Sequence, residues 1–285
     1  MSGQLFGFLI GPFESFGFMR IALVACSALA LANGPIGTLM LMRRESLGGN
    51  VLSHAVMPGA ALGFLYAGYS LAALTLGGLL TGLAVAGLAA LTARSRPQRQ
   101  DSSLIAFYLV SLSFGVLIVA ARGSQADLMH VLFGTVLAVD VKALVLIASI
   151  SSVTMLIVAA LYRPLAVESF DPAFLRAVGG GGGAFRAIFI VLVVLNLVAS
   201  FQAFGTLLAI GPMLLPAAAA RCWTHKVWPM IALATVIGMA AALAGLLISY
   251  YANLPSGPAI VMGAGVIYGM SLLTAGRMRF KTHKA

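Results

Sequence analysis

The chain is a succession of apolar runs about 20 residues long, the length an α-helix needs to cross roughly 30 Å of hydrocarbon. Such runs cover 21–42, 47–67, 71–93, 103–121, 143–162, 185–201, 204–220, 228–250 and 256–275, nine candidate crossings. Only residues 201–204 separate two of them, and 128–139 is apolar but too short to span alone, so eight to ten helices bracket the expectation. The expected fold is an all-α polytopic membrane bundle, one transmembrane domain over 1–285. Within it, 1–16 reads as an interfacial segment, 163–184 as a cytoplasmic loop and 276–285 as a basic tail. Hydrophobic residues make up 61% of the chain and charged ones 8%, against about a quarter charged in soluble domains. Soluble enzyme, disulfide scaffold, nucleic-acid module and disordered chain are all excluded on that ground.

Charge placement gives an orientation. The 17 basic residues against 7 acidic ones fall in short tufts between apolar runs, the pattern of a multi-pass protein and not of a nucleic-acid binder. With residue 1 outside and nine alternating spans, only Arg20, Arg122 and Lys142 face outward. The remaining lysines and arginines face the cytoplasm, as the positive-inside rule requires, and so does the C-terminus. Residues 1–16 lack a basic start and contain Glu14, so no cleavable signal is expected. Phe6, Phe8, Phe13 and Phe16 are expected to face lipid. Cys26 and Cys222 match no zinc or redox spacing and read as small hydrophobes. No G-x-x-x-x-G-K-[ST] occurs, and the five glycines 179–183 resemble no phosphate loop, so any ATP-derived energy has to come from another subunit.

Ionisable groups at membrane depth each cost at least about 2.5–3.5 kcal/mol at a helix centre, so they are the residues to explain. Asn50 and His54 are four apart and share a helix face, close enough for an amide oxygen and an imidazole nitrogen to reach one cation. His54 lies roughly 15 Å of helix beyond Arg44, which puts the imidazole near mid-membrane. Ser53 lies beside them, and Gly48, Gly49, Pro58 and Gly59 loosen the helix around the pair. The alternative is a histidine hydrogen-bonded to a neighbouring helix. A second cluster, Asp127, His130 and Asp140, falls at the external end, as a vestibule for a cation or as solvated loop residues. A third segment runs from Glu168 through Phe170, Asp171, Phe174 and Arg176 on the cytoplasmic side. There Asp171 is an expected N-cap with Pro172 opening a short helix, a surface for a partner to grip or a connector lying on the bilayer.

The segment Arg43-Arg44-x-Ser46-Leu47-Gly48-Gly49-Asn50-x-x-Ser53-His54-Ala55-Val56-Met57-Pro58-Gly59 resembles the signature of membrane permeases in bacterial zinc/manganese ABC importers. Matches follow in order at Asp127-Leu128 with Leu132-Phe133-Gly134, and at Ser169-Phe170-Asp171-Pro172 through Ala177-Val178-Gly179. They continue at Gly205-Thr206-Leu207-Leu208 through Pro216 to Arg221, and at Leu254-Pro255-Ser256-Gly257-Pro258-Ala259-Ile260. The resemblance covers about 20–275 and implies a metal-ABC-permease-like bundle. It also implies a homodimer of permease chains, cytoplasmic ATP-binding subunits that meet the loop 163–179, and a periplasmic metal-binding protein. The family has Asp where this chain has Asn50, which removes a negative charge that would offset a divalent cation's desolvation. The glycine run is a second departure.

These features lead to a transport subunit with no catalysis and no intrinsic cofactor, serving an ATP-driven importer of a divalent transition metal. An imidazole and an amide without a carboxylate favour zinc over manganese or iron. A gradient-driven secondary carrier would need buried carboxylates or inverted repeats, and a membrane-embedded enzyme a set such as H-E-x-x-H; the spans show none of these.

Overall fold

The structure is a computed structural model that describes residues 10–43, 45–68, 70–95, 106, 109–111, 113–115, 117, 136–177, 182–205 and 208–282. Among these no strand occurs. The principal helices are α1 (Gly17–Met42), α2 (Ser46–Ala55), α3 (Met57–Ala67), α4 (Leu71–Ser95) and α5 (Val141–Ala160). Two short helices follow, α6 (Tyr162–Phe170) and α7 (Pro172–Ala177). Then come α8 (Gly182–Phe204), α9 (Gly211–Trp223), α10 (Val227–Ala252) and α11 (Ser256–Thr282). Six helices among the described residues are long and apolar enough to cross a membrane: Gly17–Met42, Leu71–Leu88, Val141–Ala160, Gly183–Phe204, Val227–Ala252 and Ser256–Thr274.

Two of the nine expected crossings fail that length test for identifiable reasons. The run 47–67 is helical on both sides of Val56, which itself keeps helical dihedrals (φ -70, ψ -30), and only the hydrogen-bond ladder is interrupted there. Pro58 has no N–H to give the carbonyl of His54, four residues back, so the ladder stops there and restarts with Ala60 bonding Val56. The run 204–220 yields only the 13 residues of α9, because Gly205 takes φ 76 and a turn follows before Gly211. The expected helix 103–121 lies largely outside the described residues, as does most of 128–139, where Val136–Ala138 forms a single 3-10 turn.

Helices α1 and α8 form the interior, each with 67% of its span buried, while α11 has 22% of its own buried and so presents most of its length to the surroundings. Helix α1 packs on α5, α9 and α10, and it stays continuous through Pro35. Because lipid is as apolar as leucine, helices in a bilayer associate through close packing and interhelical hydrogen bonds. Both are present. Gly59 of α3 and Gly77 of α4 lie against each other so closely that a Cβ on either would collide with the other's carbonyl oxygen. Asn33 donates to Ser200 at 3.2 Å, Asn196 to Thr154 at 2.8 Å and Gln202 to Thr75 at 3.1 Å, tying α1, α5 and α4 to α8.

Before α1, residues 10–15 are helical and Phe13 is buried in the core with Met19, Val136 and Leu246. The expectation that Phe13 faces lipid is therefore corrected: the short helix folds back on the bundle, and its ring fills the gap between α1, α10 and the 3-10 turn. Phe16 is exposed as expected, against Phe18 and Tyr250. Phe6 and Phe8 lie outside the described residues.

Candidate functional site

Helix α2 is seated by one face. Leu52 and Val56 pack with Ile36, Leu39 and Met40 of α1 and with Leu192, Val193 and Leu197 of α8. On another side of the helix Asn50 is exposed and His54, one turn later, is half-buried. Asn50 and His54 lie one turn apart on the same helix, near its C-terminal end. Ser53 does not belong with them. Its side chain is 2% exposed and its hydroxyl donates to the Asn50 carbonyl at 2.8 Å, because a serine on the buried side of a short helix satisfies itself on the preceding turn. Among the described residues no three His, Cys, Asp or Glu side chains gather as a metal cage. One copy of α2 therefore offers two donors, fewer than the six oxygen or nitrogen ligands a hard divalent cation takes.

Of the external cluster, Asp127 and His130 lie outside the described residues. Asp140 is the N-cap of α5, its carboxylate accepting the Ala143 N–H at 2.8 Å. That bond accounts for an acid at this position without any cation.

The basic end of the bundle holds most of the charge chemistry. Asp171 caps α7 as expected, its Oδ1 accepting from Ala173 at 3.0 Å and Phe174 at 2.9 Å. Phe170 and Phe174, on α6 and α7, are 65% and 57% exposed, two aromatic rings with nothing over them in a single chain. Arg176 lies in α7 between Phe174 and the glycine run. Glu168 departs from the expectation of a partner-facing acid. It is buried and ion-paired with Arg43, the residue that ends α1, each side chain 5% exposed. The register explains it: Leu165 and Glu168 are three apart, so the face that buries Leu165 in the core turns Glu168 inward too. Arg43 also donates from Nε to Ser169 Oγ at 3.0 Å and lies 3.9 Å over the Phe189 ring of α8. Burial pushes the Glu168 carboxyl up and the Arg43 guanidinium down, and their mutual attraction offsets part of each shift. A second, more exposed pair joins Glu45 to Arg186 at 3.1 Å. These four groups, with Arg221 and His225, line a cavity of about 550 Å³.

Sequence reasoning missed Arg43 and Arg186 as structural partners, since ion pairs 125 or more positions apart leave no local signal. It also missed the interhelical amides of Asn196 and Gln202, although a lone Asn or Gln inside an apolar run is a signal for such a bond.

Six helices long and apolar enough to cross a membrane, in a bundle with no strand among the described residues, define a multi-pass membrane protein. The chain belongs to the ABC 3 transport family, whose model matches residues 15–275. It is 29% identical over 274 residues to the manganese import system permease protein ScaB of Streptococcus parasanguinis, covering 96% of each chain. It is 31% identical over 261 residues to the manganese transport system membrane protein MntC of Listeria innocua, covering 91% of each. The solved structure titled PsaBC from Streptococcus pneumoniae in complex with Fab superposes with a TM-score of 0.87 at 27% identity, covering 97% of this chain and 99% of that one.

Proposed function

We propose that this chain is the membrane-spanning permease of an ATP-driven importer of divalent manganese. The observation that carries the reading is the placement of Asn50, exposed, and His54, half-buried, one turn apart in the second membrane segment. Polar and ionisable side chains within a membrane segment mark substrate and ion pathways. Relatives named for manganese import favour that metal, and the expectation of zinc is set aside. Counting donors misled it, because an imidazole suits many first-row ions and an amide oxygen suits manganese as well as any.

Two donors per chain leave the ion incompletely held, which suits a pathway that must release what it binds. A second copy presenting the same face would double the donor count and cover Asn50. ATP-binding subunits would seat on the exposed Phe170 and Phe174 of α6 and α7, at the basic end read as cytoplasmic, where the C-terminus also lies. A periplasmic metal-binding protein would deliver the ion at the opposite end.

The test is uptake of radioactive manganese into vesicles holding this chain with its ATP-binding partner. Uptake that requires ATP, and in which manganese outcompetes zinc, supports the reading. Uptake by this chain alone under a proton gradient contradicts it.

A further inference from the structure

The Arg43–Glu168 pair is not explained by stability. Two charges taken out of water cost more than their attraction returns unless the geometry is very good, and well-packed apolar residues commonly do as well or better. Nor does metal chemistry use it, since it lies at the opposite end of α2 from His54. Its position in the fold points elsewhere. Arg43 closes α1 with its N–H on the Leu39 carbonyl at 3.0 Å, and Glu45 bonds the Met40 carbonyl at 3.1 Å. Gly49 in turn bonds Glu45 at 3.1 Å, so a chain of backbone bonds runs from the end of α1 into the first turn of α2. Glu168 and Ser169, both gripped by the Arg43 guanidinium, are the residues just before the exposed Phe170. A cavity lies on one side of this contact and the Leu165–Phe189 packing on the other, so the ionic grip is the polar link between the last turn of α6 and the α1–α2 corner.

We propose that Arg43 and Glu168 are positioning residues that form a rigid strut, closed throughout the transport cycle. The strut carries displacement of α6 and α7, imposed by the ATP-binding partner, into α2 and its Asn50–His54 face. Phe189 under the guanidinium fixes the direction of the strut, and the Glu45–Arg186 pair braces the same corner against α8. This inference rests on the importer reading above.

The experiment uses the complete complex in vesicles and reads manganese taken up per ATP hydrolysed. With wild type, that ratio must first depend on the partner; if it does not, the importer reading itself fails. Arg43→Met and Glu168→Gln are then expected to lower the ratio about tenfold while hydrolysis continues, the size of a lost coupling between sites. A purely structural role would lower assembly and hydrolysis together and leave the ratio alone. In a Cys26→Ala, Cys222→Ala background, Arg43→Cys with Glu168→Cys supplies two thiols on the cavity wall for a short bifunctional thiol reagent. Joining them is expected to restore the ratio, and it also tests a corner that either single variant leaves poorly assembled. Wild-type ratios in the single variants, or a cross-link that leaves the ratio low, would overturn the strut while leaving the importer reading intact.

Discussion

The two ends of α2 use polar groups in opposite ways. At its start, Arg43, Glu45, Glu168 and Arg186 are paired off, and the tightest of them are buried. Near its end, Asn50 is exposed and His54 half-buried, and the nearest carboxylate in sequence, Glu45, is engaged by Arg186. The described ion pairs join the α1–α2 corner to α6 and α8. The face read as the ion's path has weak, incomplete donors. A site that bound as firmly as the corner is tied would hold its cargo and stop.

The largest expected effect breaks the Asn50–His54 end. His54→Ala should remove manganese uptake, by more than the roughly 10–100-fold that loss of a mere supporting group costs a metal site. Assembly should stay normal, since the imidazole is half-buried and not a core side chain. Unchanged uptake would make His54 structural. Next in size is the packing that carries α3 on α4. Gly77→Val should destabilise the bundle by about 1–3 kcal/mol, seen as lower yield and thermal stability, because its Cβ meets the Gly59 carbonyl oxygen.

Asn50→Asp sharpens the contrast by moving a charge to the Asn50–His54 end. It should tighten manganese binding about tenfold and slow turnover, as a charged ligand strengthens a hard-cation site. Equal binding and turnover would mean this face does not meet the ion. At the tied end, replacing both Arg43 and Glu168 by Met should leave thermal stability level or raise it by about 1–4 kcal/mol. A large fall would show that the pair is there for stability. The smallest effect is expected at Asp140→Ala, a loss of about 1 kcal/mol from the α5 cap. Uptake should be unaltered; lost uptake would return Asp140 to the external vestibule.

Much of this was legible in the sequence because membrane crossing and local capping are local properties. Apolar length marked α1, α4, α5, α8, α10 and α11, and Asp171-Pro172 marked the start of α7 from two adjacent residues. Four-residue spacing put Asn50 and His54 one turn apart. The interrupted ladder at Val56 was less visible, because apolarity continues through it and only Pro58 marks the missing bond. Glu168 read as part of a surface for a partner to grip, since its ion-pair partner Arg43 lies 125 positions away. Ser53 read as a pathway group because its hydroxyl's bond to its own backbone depends on which face is buried. The metal was not legible for a different reason: two donors do not define a coordination sphere, and the relatives' names favour the manganese alternative.

The most direct test of the central claim is manganese uptake by vesicles that differ only in whether the ATP-binding partner and ATP are present. The account predicts accumulation only when both are there, and its loss in the His54→Ala chain. Accumulation driven by an ion gradient through this chain alone, or full uptake without the imidazole, would contradict it.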